Sequence, residues 1–161
     1  MTLLDSFSPG DTESASRGQL AHPMNIAHLK QLEKRLYQVG EKAYCFVGNG
    51  LSNQSFIEGP EGLIVIDTGE SIEEMEAALK AVRKVSKSPV AACFYTHFHY
   101  VSGTQALLDE GNLSEIPIYG HAGIPENIAR FGGEVAPRVT RGLVHQFGLK
   151  LPNEGKDGLV H

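Results

Sequence analysis

The sequence predicts an α/β fold in which helices pack on a mixed sheet. Short apolar runs that suit strands alternate with a stretch of helical periodicity, and turn-forming residues separate them. The 161 residues, 41% of them hydrophobic, suffice for one ordinary core and are too few for two comfortable domains. We therefore expect a polar N-terminal tail and lead-in segment over residues 1–40 and one folded domain over residues 41–161.

A hairpin and a buried strand open the predicted domain. The runs AYCFV (43–47) and NQSFI (53–57) are typical of strands, and the glycine-containing turn GNGLS joins them. The next run, LIVI (63–66), is continuously apolar, which suits a strand covered on both faces. Asp67 ends that strand.

A helix over residues 72–85 is predicted next. Ser71 and Glu74 form a capping box, and apolar residues recur at helical spacing as far as Val85. Pro89 closes the segment, and VAACFY (90–95) suits another strand. Because a helix separates this strand from LIVI, we expect the two strands to be parallel neighbours with a right-handed crossover.

Two helices and one strand are predicted in the segment that follows. A short helix is expected from Ser102 to about Glu110, with Gly111 as its stop, and IPIY (116–119) suits a strand. IPENIAR (124–130) suits one more helix. The Gly- and basic-rich segment from there to the C-terminus shows no clear pattern.

Two histidines separated by one residue follow the strand VAACFY. They lie at the carboxyl end of a parallel strand, where open α/β sheets bind ligands. If extended geometry persists past Tyr95, His97 and His99 point the same way while Phe98 and Tyr100 face the core. Neutral imidazoles so placed suit zinc. A surface pair or a satisfied core histidine fits the same pattern, so both interpretations stay open on spacing alone.

Asp67 lies at the end of the neighbouring parallel strand. Its carboxylate could hydrogen-bond a ligand imidazole or the turn that carries it. We therefore expect Asp67, together with Thr96, to support the two histidines without binding the metal directly. Three isolated histidines are expected to be solvated or core residues: His121, His145 and His161.

Composition and charge exclude several classes of function. Fourteen Lys and Arg against nineteen Asp and Glu give a net charge of -5, so no broad basic field attracts nucleic acid or an anionic membrane surface. The longest apolar runs are far below the roughly 20 residues that a membrane-spanning helix needs. Cys45 and Cys93 lie in strand-like runs, so we expect reduced, buried thiols. The N-terminal residues do not resemble a secretory signal, which predicts a cytoplasmic location.

Arg138 and Arg141 are two candidate ligands for an anion. A guanidinium group binds an oxyanion such as a sulfate ester in bidentate fashion. The alternative is that both side chains lie in a solvated basic loop. They are therefore candidate substrate-binding residues only.

Several stretches resemble the metallo-β-lactamase superfamily. They are GNGLSNQSFIEGPEGLIVIDTGES, the amphipathic helix that follows, and YTHFHYVSGTQALL. The later stretches IPIYGHAGIPENIARFGG and RGLVHQFGLKLPNEGKDG resemble the alkyl sulfatase branch of that superfamily. The resemblance covers residues 48–156. It implies a partial metallo-β-lactamase αββα sandwich, of which this chain holds the first half, a mixed sheet with helices.

The resemblance implies a zinc-dependent hydrolase of sulfate esters with His97 and His99 as metal ligands. The family pattern is His-x-His-x-Asp-His, and here Tyr100 is followed directly by Val101. The small residues and glycine that follow the motif align well if Asp and His are absent at this point, and poorly if they are substituted. We therefore interpret the chain as lacking both ligands of a second metal.

The expected function follows from these losses. The remaining ligands of the family come from the second half of the sandwich, and the sequence ends before them. We expect a truncated, catalytically impaired relative that binds zinc weakly or not at all and forms a homo-oligomer through its exposed half-sandwich. The alternative is a non-catalytic interaction or subunit-type protein built on half of the fold. Whether the chain is an enzyme stays open, and so does its location, since sulfatase-like relatives are often exported.

Overall fold

The computed structural model describes residues 12–14, 18 and 20–146. The chain divides into two compact units, Met1–Glu33 and Lys34–His161. The division predicted after residue 40 stays a prediction. None of the helices in the described ranges is long and apolar enough to span a membrane.

The described residues of the first unit form four short elements. Strands β1 and β2 pair antiparallel, and a helix α1 leads into a 3₁₀ turn. Their bounds are Glu13–Ser14 for β1, Leu20–Ala21 for β2, Pro23–His28 for α1 and Leu29–Leu32 for the 3₁₀ turn.

A six-stranded mixed sheet forms the second unit, with its strands in sequence order. The strands are β3 (Arg35–Gly40), β4 (Ala43–Val47), β5 (Gln54–Glu58), β6 (Leu63–Ile66), β7 (Val90–Phe94) and β8 (Ile118–Tyr119). The pairs from β3 to β6 are antiparallel, whereas β6, β7 and β8 run parallel. The predicted hairpin, the LIVI strand and the parallel crossover are therefore confirmed, and so is the α/β class with a mixed sheet.

Four helices and one π-helical turn accompany the sheet in residues 34–146 of the second unit. They are α2 (Ile72–Val82), α3 (Thr104–Gly111), α4 (Ile124–Arg130), the π-helical turn (Phe131–Val135) and α5 (Ala136–Gln146). Gly111 is the last residue of α3, and the left-handed cap that was predicted there is supplied by the next residue, Asn112, with φ of 48°. Helix α5 contradicts the expectation of an unpatterned segment.

Helix α2 is fixed at its N-terminus by the predicted cap. Ser71 Oγ accepts a hydrogen bond from Glu74 N at 3.2 Å. The Glu74 carboxylate accepts in turn from Glu70 N at 3.0 Å, one residue earlier than in the usual capping box. This cap therefore anchors the turn that leads from β6 into α2.

The core lies between α2, α3 and one face of the sheet. Phe56, Val65 and Cys93 are in-register neighbours on that face, and all three are fully buried. Met75 of α2 and Leu107 of α3 are buried with them. Since burying each such side chain contributes roughly 1.5–3 kcal/mol, this packing fixes the position of the strand ends.

The opposite face of the sheet is apolar and partly exposed. We define this outer sheet face by Ile57, Ile64, Ile66, Phe94 and Tyr119, which occupy paired positions on β5 to β8. The rings of Phe94 and Tyr119 stack with centroids 4.7 Å apart, yet Tyr119 is 53% exposed. A second layer could therefore pack here.

Candidate functional site

The candidate site lies where β6 and β7 end at the same edge of the sheet. Asp67 follows β6, and its N–H donates to Phe94 O of β7 at 2.9 Å. Its φ of 59° is in the left-handed region, which costs a non-glycine residue roughly 1–2 kcal/mol and which aspartate tolerates better than most. That backbone conformation places the buried carboxylate beside the segment after β7.

The Asp67 carboxylate holds Thr96, and Thr96 holds His97. Asp67 accepts from Thr96 N at 2.9 Å and from Thr96 Oγ1 at 2.7 Å. Thr96 Oγ1 also lies 2.8 Å from His97 Nδ1. Because the hydroxyl hydrogen goes to the carboxylate, the neutral imidazole must donate its Nδ1–H to Oγ1. His97 Nε2 is then the unprotonated nitrogen, which is the form that binds a metal.

His99 lies beside His97 although the strand geometry does not continue. β7 ends at Phe94, and residues 96–100 form a bend in place of an extended run. The two exposed histidine rings are nevertheless only 5.2 Å apart between centroids. Burial, and then the charge of His97, lower the pKa of His99. The lowered pKa favours the neutral imidazole at neutral pH.

The junction between Tyr100 and Val101 is bonded closely to the turn after β6. Tyr100 O accepts from Thr68 N at 2.8 Å and from Thr68 Oγ1 at 3.3 Å. Val101 forms a parallel bridge with Gly69, and Ser102 N donates to Gly69 O at 3.2 Å. These contacts hold residues 100–102, which connect the histidines to α3, against the turn after β6.

Gly103 allows α3 to start against the same turn. A Cβ at this position would lie 2.1 Å from Thr68 O and 2.6 Å from Met75 Cβ. Neither contact is sterically possible without a shift of the backbone or of the core. Glycine is thus required at position 103 because Thr68 and Met75 approach it closely. Its φ of -84° is open to any residue and is not the reason.

Comparison with known families identifies the fold. Residues 47–158 match the model of the metallo-beta-lactamase superfamily. The chain belongs to the metallo-β-lactamase superfamily. The resemblance inferred from the DTG turn and the His-x-His motif is therefore confirmed, and with it the partial metallo-β-lactamase sandwich. Relatives in this superfamily depend on a metal, so the chain is a relative of metal-dependent hydrolases.

Several curated relatives and two solved structures that the chain is similar to are alkylsulfatases. A linear primary-alkylsulfatase of Pseudomonas sp. (strain ATCC 19151) is 38% identical over 104 residues, covering 62% of this chain and 20% of that protein. An (R)-specific secondary-alkylsulfatase of Pseudomonas sp. is 27% identical over 93% of this chain and 22% of that protein. The structure of the inverting sec-alkylsulfatase Pisa1 from Pseudomonas sp. matches 90% of this chain and 27% of its own, with a TM-score of 0.64 and 22% identity. The chain thus spans about a fifth of the length of these curated relatives.

The described residues of this superfamily member do not fit a complete metal centre. Within residues 12–14, 18 and 20–146, no group of three or more His, Cys, Asp or Glu side chains converges to hold a metal ion. His121 and His145 are exposed and stand apart from the pair, and His161 lies outside the described residues. A catalytic zinc generally takes three protein ligands and a water. His97 and His99 supply two imidazoles only.

A cavity of about 320 Å³ lies beside His99. Phe131 and Ile128 form part of its wall, and the Phe131 ring meets the His99 ring edge-on at 5.5 Å. No local pattern in the sequence indicated this contact, because it joins segments about thirty residues apart.

Arg138 and Arg141 do not line the cavity. Both are exposed on α5, so the loop expected for them is a helix, and their role in substrate binding stays a prediction.

The Cys93 thiol is expected to be unreactive in the folded chain. Burial, and then the negative charge of Asp67, raise its pKa to about 12. At pH 8 roughly one thiol in ten thousand is then ionised, and only the thiolate reacts. In a Cys45→Ala variant, a disulfide reagent should label Cys93 only after denaturation. Rapid labelling of the native variant at pH 8 would contradict the burial.

Proposed function

We propose that this chain is a relative of zinc alkyl sulfatases whose metal centre is incomplete and whose sulfate ester hydrolysis is impaired. The junction of Tyr100 and Val101 carries the proposal. The superfamily motif places an Asp-His pair there, and this chain joins the two residues directly. The hydrogen bonds to Thr68 and Gly69 support a loop that is adapted to the shorter motif.

The retained half of the motif supports weak metal binding. Asp67 and Thr96 orient His97, and His99 lies beside it with its neutral form favoured. Zinc is the metal we propose, because imidazole nitrogens are among its usual ligands. Four converging ligands in small zinc domains contribute at least about 10 kcal/mol, and two imidazoles supply only part of that.

Without the Asp-His pair, no group of three or more His, Cys, Asp or Glu side chains converges around the histidines among the described residues. Asp67 is hydrogen-bonded to Thr96, and Glu70 lines the cavity together with His99. A sulfate ester that entered the cavity would meet two phenylalanine rings, one histidine and the Glu70 side chain. Binding without efficient turnover is the expected behaviour.

Sulfate release from decyl sulfate tests this proposal. With excess zinc, turnover by the purified chain should not exceed that of a His97→Ala/His99→Ala double variant, which removes both imidazoles from an exposed bend. Ion chromatography measures the product. Turnover that is well above background and is lost in the double variant would contradict the impairment.

The alternative function, an interaction or subunit-type protein, is supported by the outer sheet face. Its defining residues are uncharged, and Ile57 and Phe94 are each about 40% exposed. Apolar sheet faces pack on one another about 10 Å apart, and a two-fold pair buries the same surface on both copies. We propose that a second copy of the chain covers this face. The cytoplasmic location expected from the sequence stays a prediction.

Light scattering is expected to show a dimer or larger species. Tyr119→Lys places a charge on the outer sheet face, so it should shift the population toward monomer. Val85→Lys is the matched control, because Val85 is 54% exposed and follows α2, which packs on the other side of the sheet. A monomer at high concentration, or equal effects of the two variants, would contradict self-association through this surface.

A further inference from the structure

A groove separate from the candidate site lies where the second half of α2 passes the start of β3. Its volume is about 610 Å³, within the range of small-molecule sites. We call it the basic groove and define its rim by Lys34, Arg35, Lys80 and Lys84. None of the residues that line it belongs to the site around the two histidines.

The rim concentrates positive charge in an acidic chain. Four of the fourteen Lys and Arg line this groove, and no Asp or Glu lines it, although the net charge is -5. The side chains of Lys34, Lys80 and Lys84 have no hydrogen bond or ion pair to any residue in the described part of the chain. Arg35 lies over the Tyr37 ring at 4.3 Å and forms no ion pair with a carboxylate among the described residues. The four cations together favour an anion.

The floor of the basic groove is apolar. Leu36 and Phe46 form a cross-strand pair of β3 and β4, and Ala77 and Ala81 lie one turn apart on α2. The two alanines leave open space that longer side chains would fill. Val85 extends the apolar surface past the end of the helix and is 54% exposed. A floor of this kind suits an unbranched hydrocarbon chain.

We propose that the basic groove binds a single-chain anionic amphiphile, with its oxyanion head at the lysines and its alkyl chain along the floor. Exposed lysines attract the head at long range, and burial of each methylene group contributes roughly 0.8 kcal/mol. An anion without an alkyl chain should bind less well, because it leaves the floor uncovered. A neutral or cationic amphiphile should bind less well, because the rim lysines do not attract it. The inference does not depend on the proposed sulfatase ancestry.

Methyl NMR on the full chain, titrated with dodecanoate below its micelle concentration, tests the inference. The methyl resonances of Leu36, Ala77, Ala81 and Val85 should shift together and saturate. Acetate, dodecyl maltoside and dodecyltrimethylammonium should each bind at least about tenfold more weakly. Added salt should weaken dodecanoate binding, because the lysines are exposed.

Two double variants distinguish binding in the basic groove from a general effect of the chain's net charge. Lys80→Gln/Lys84→Gln should weaken dodecanoate binding by about tenfold, since two exposed ionic contacts are lost. Lys42→Gln/Lys87→Gln removes the same charge elsewhere and should change binding by less than about twofold. The inference is overturned if both variants behave alike or if the shifts map to Ile57 and Ile64 on the outer sheet face. It is also overturned if only vesicles rich in phosphatidylglycerol bind the chain.

Discussion

Asp67→Ala is expected to lower the free energy of unfolding by about 3 kcal/mol. The substitution removes both acceptors of Thr96, and hydrogen bonds to a charged group contribute roughly 1.5–3 kcal/mol each. It also places alanine at a φ of 59°, where its Cβ is disfavoured. Since native domains are stable by only about 5–15 kcal/mol, urea denaturation should show the loss clearly.

Matched variants assign this loss to the Asp67–Thr96–His97 contacts. Asp67→Asn tolerates the same backbone conformation and keeps one acceptor oxygen, so it should cost about half as much. Thr96→Ser keeps the hydroxyl, whereas Thr96→Val removes it. Nitrogen NMR of His97 should show an Nδ1-protonated imidazole in the parent chain and in Thr96→Ser, and a mixture of tautomers in Thr96→Val. Identical spectra for the serine and valine variants would mean that Thr96 does not position His97.

Inserting Asp-His between Tyr100 and Val101 should raise zinc affinity by at least about a hundredfold. The insertion adds an oxygen and a nitrogen ligand beside His97 and His99, and each tenfold gain corresponds to about 1.4 kcal/mol. Without zinc the insertion should cost about 1–2 kcal/mol of stability. The hydrogen bonds from Thr68 N to Tyr100 O and from Ser102 N to Gly69 O cannot both survive two extra residues.

An Ala-Ala insertion at the same point is the control for loop length. It should produce the same loss of stability in the absence of metal, with no gain in zinc affinity. Differential scanning calorimetry with and without zinc measures both effects. If the Asp-His insertion leaves zinc affinity unchanged, the missing pair does not explain the incomplete centre.

The sequence predicted those parts of the fold that depend on local pattern and burial. The alternation and apolar runs of β4, β5 and β6, and the cap and periodicity of α2, all follow from side chains that face one core. Helix α5 was missed because its mean hydropathy is low and none of its described side chains is buried, although its apolar and polar side chains lie on different faces. Its Gly142 and β-branched residues lower helix propensity further. Strand β8 is shorter than predicted because Pro117 has no N–H to donate to the sheet.

The sequence located the candidate site but not the contacts within it. The parallel order of β6 and β7 correctly predicted that Asp67 would lie near the segment that carries the histidines. The connection through Thr96 depends on the left-handed φ of Asp67, which a linear pattern does not reveal. The edge-on contact of Phe131 with His99 depends on where α4 and the π-helical turn return to the sheet edge. Such long-range contacts have no signal in local spacing.

A calorimetric zinc titration of the unaltered chain tests the incomplete centre most directly. Two imidazoles without further ligands should bind zinc with a Kd weaker than about 1 μM, and His97→Ala or His99→Ala should abolish that binding. One equivalent of zinc bound with a Kd near 1 nM, about 4 kcal/mol more favourable, would show that further ligands complete the site. Binding that persists in both alanine variants would contradict the assignment of the two histidines.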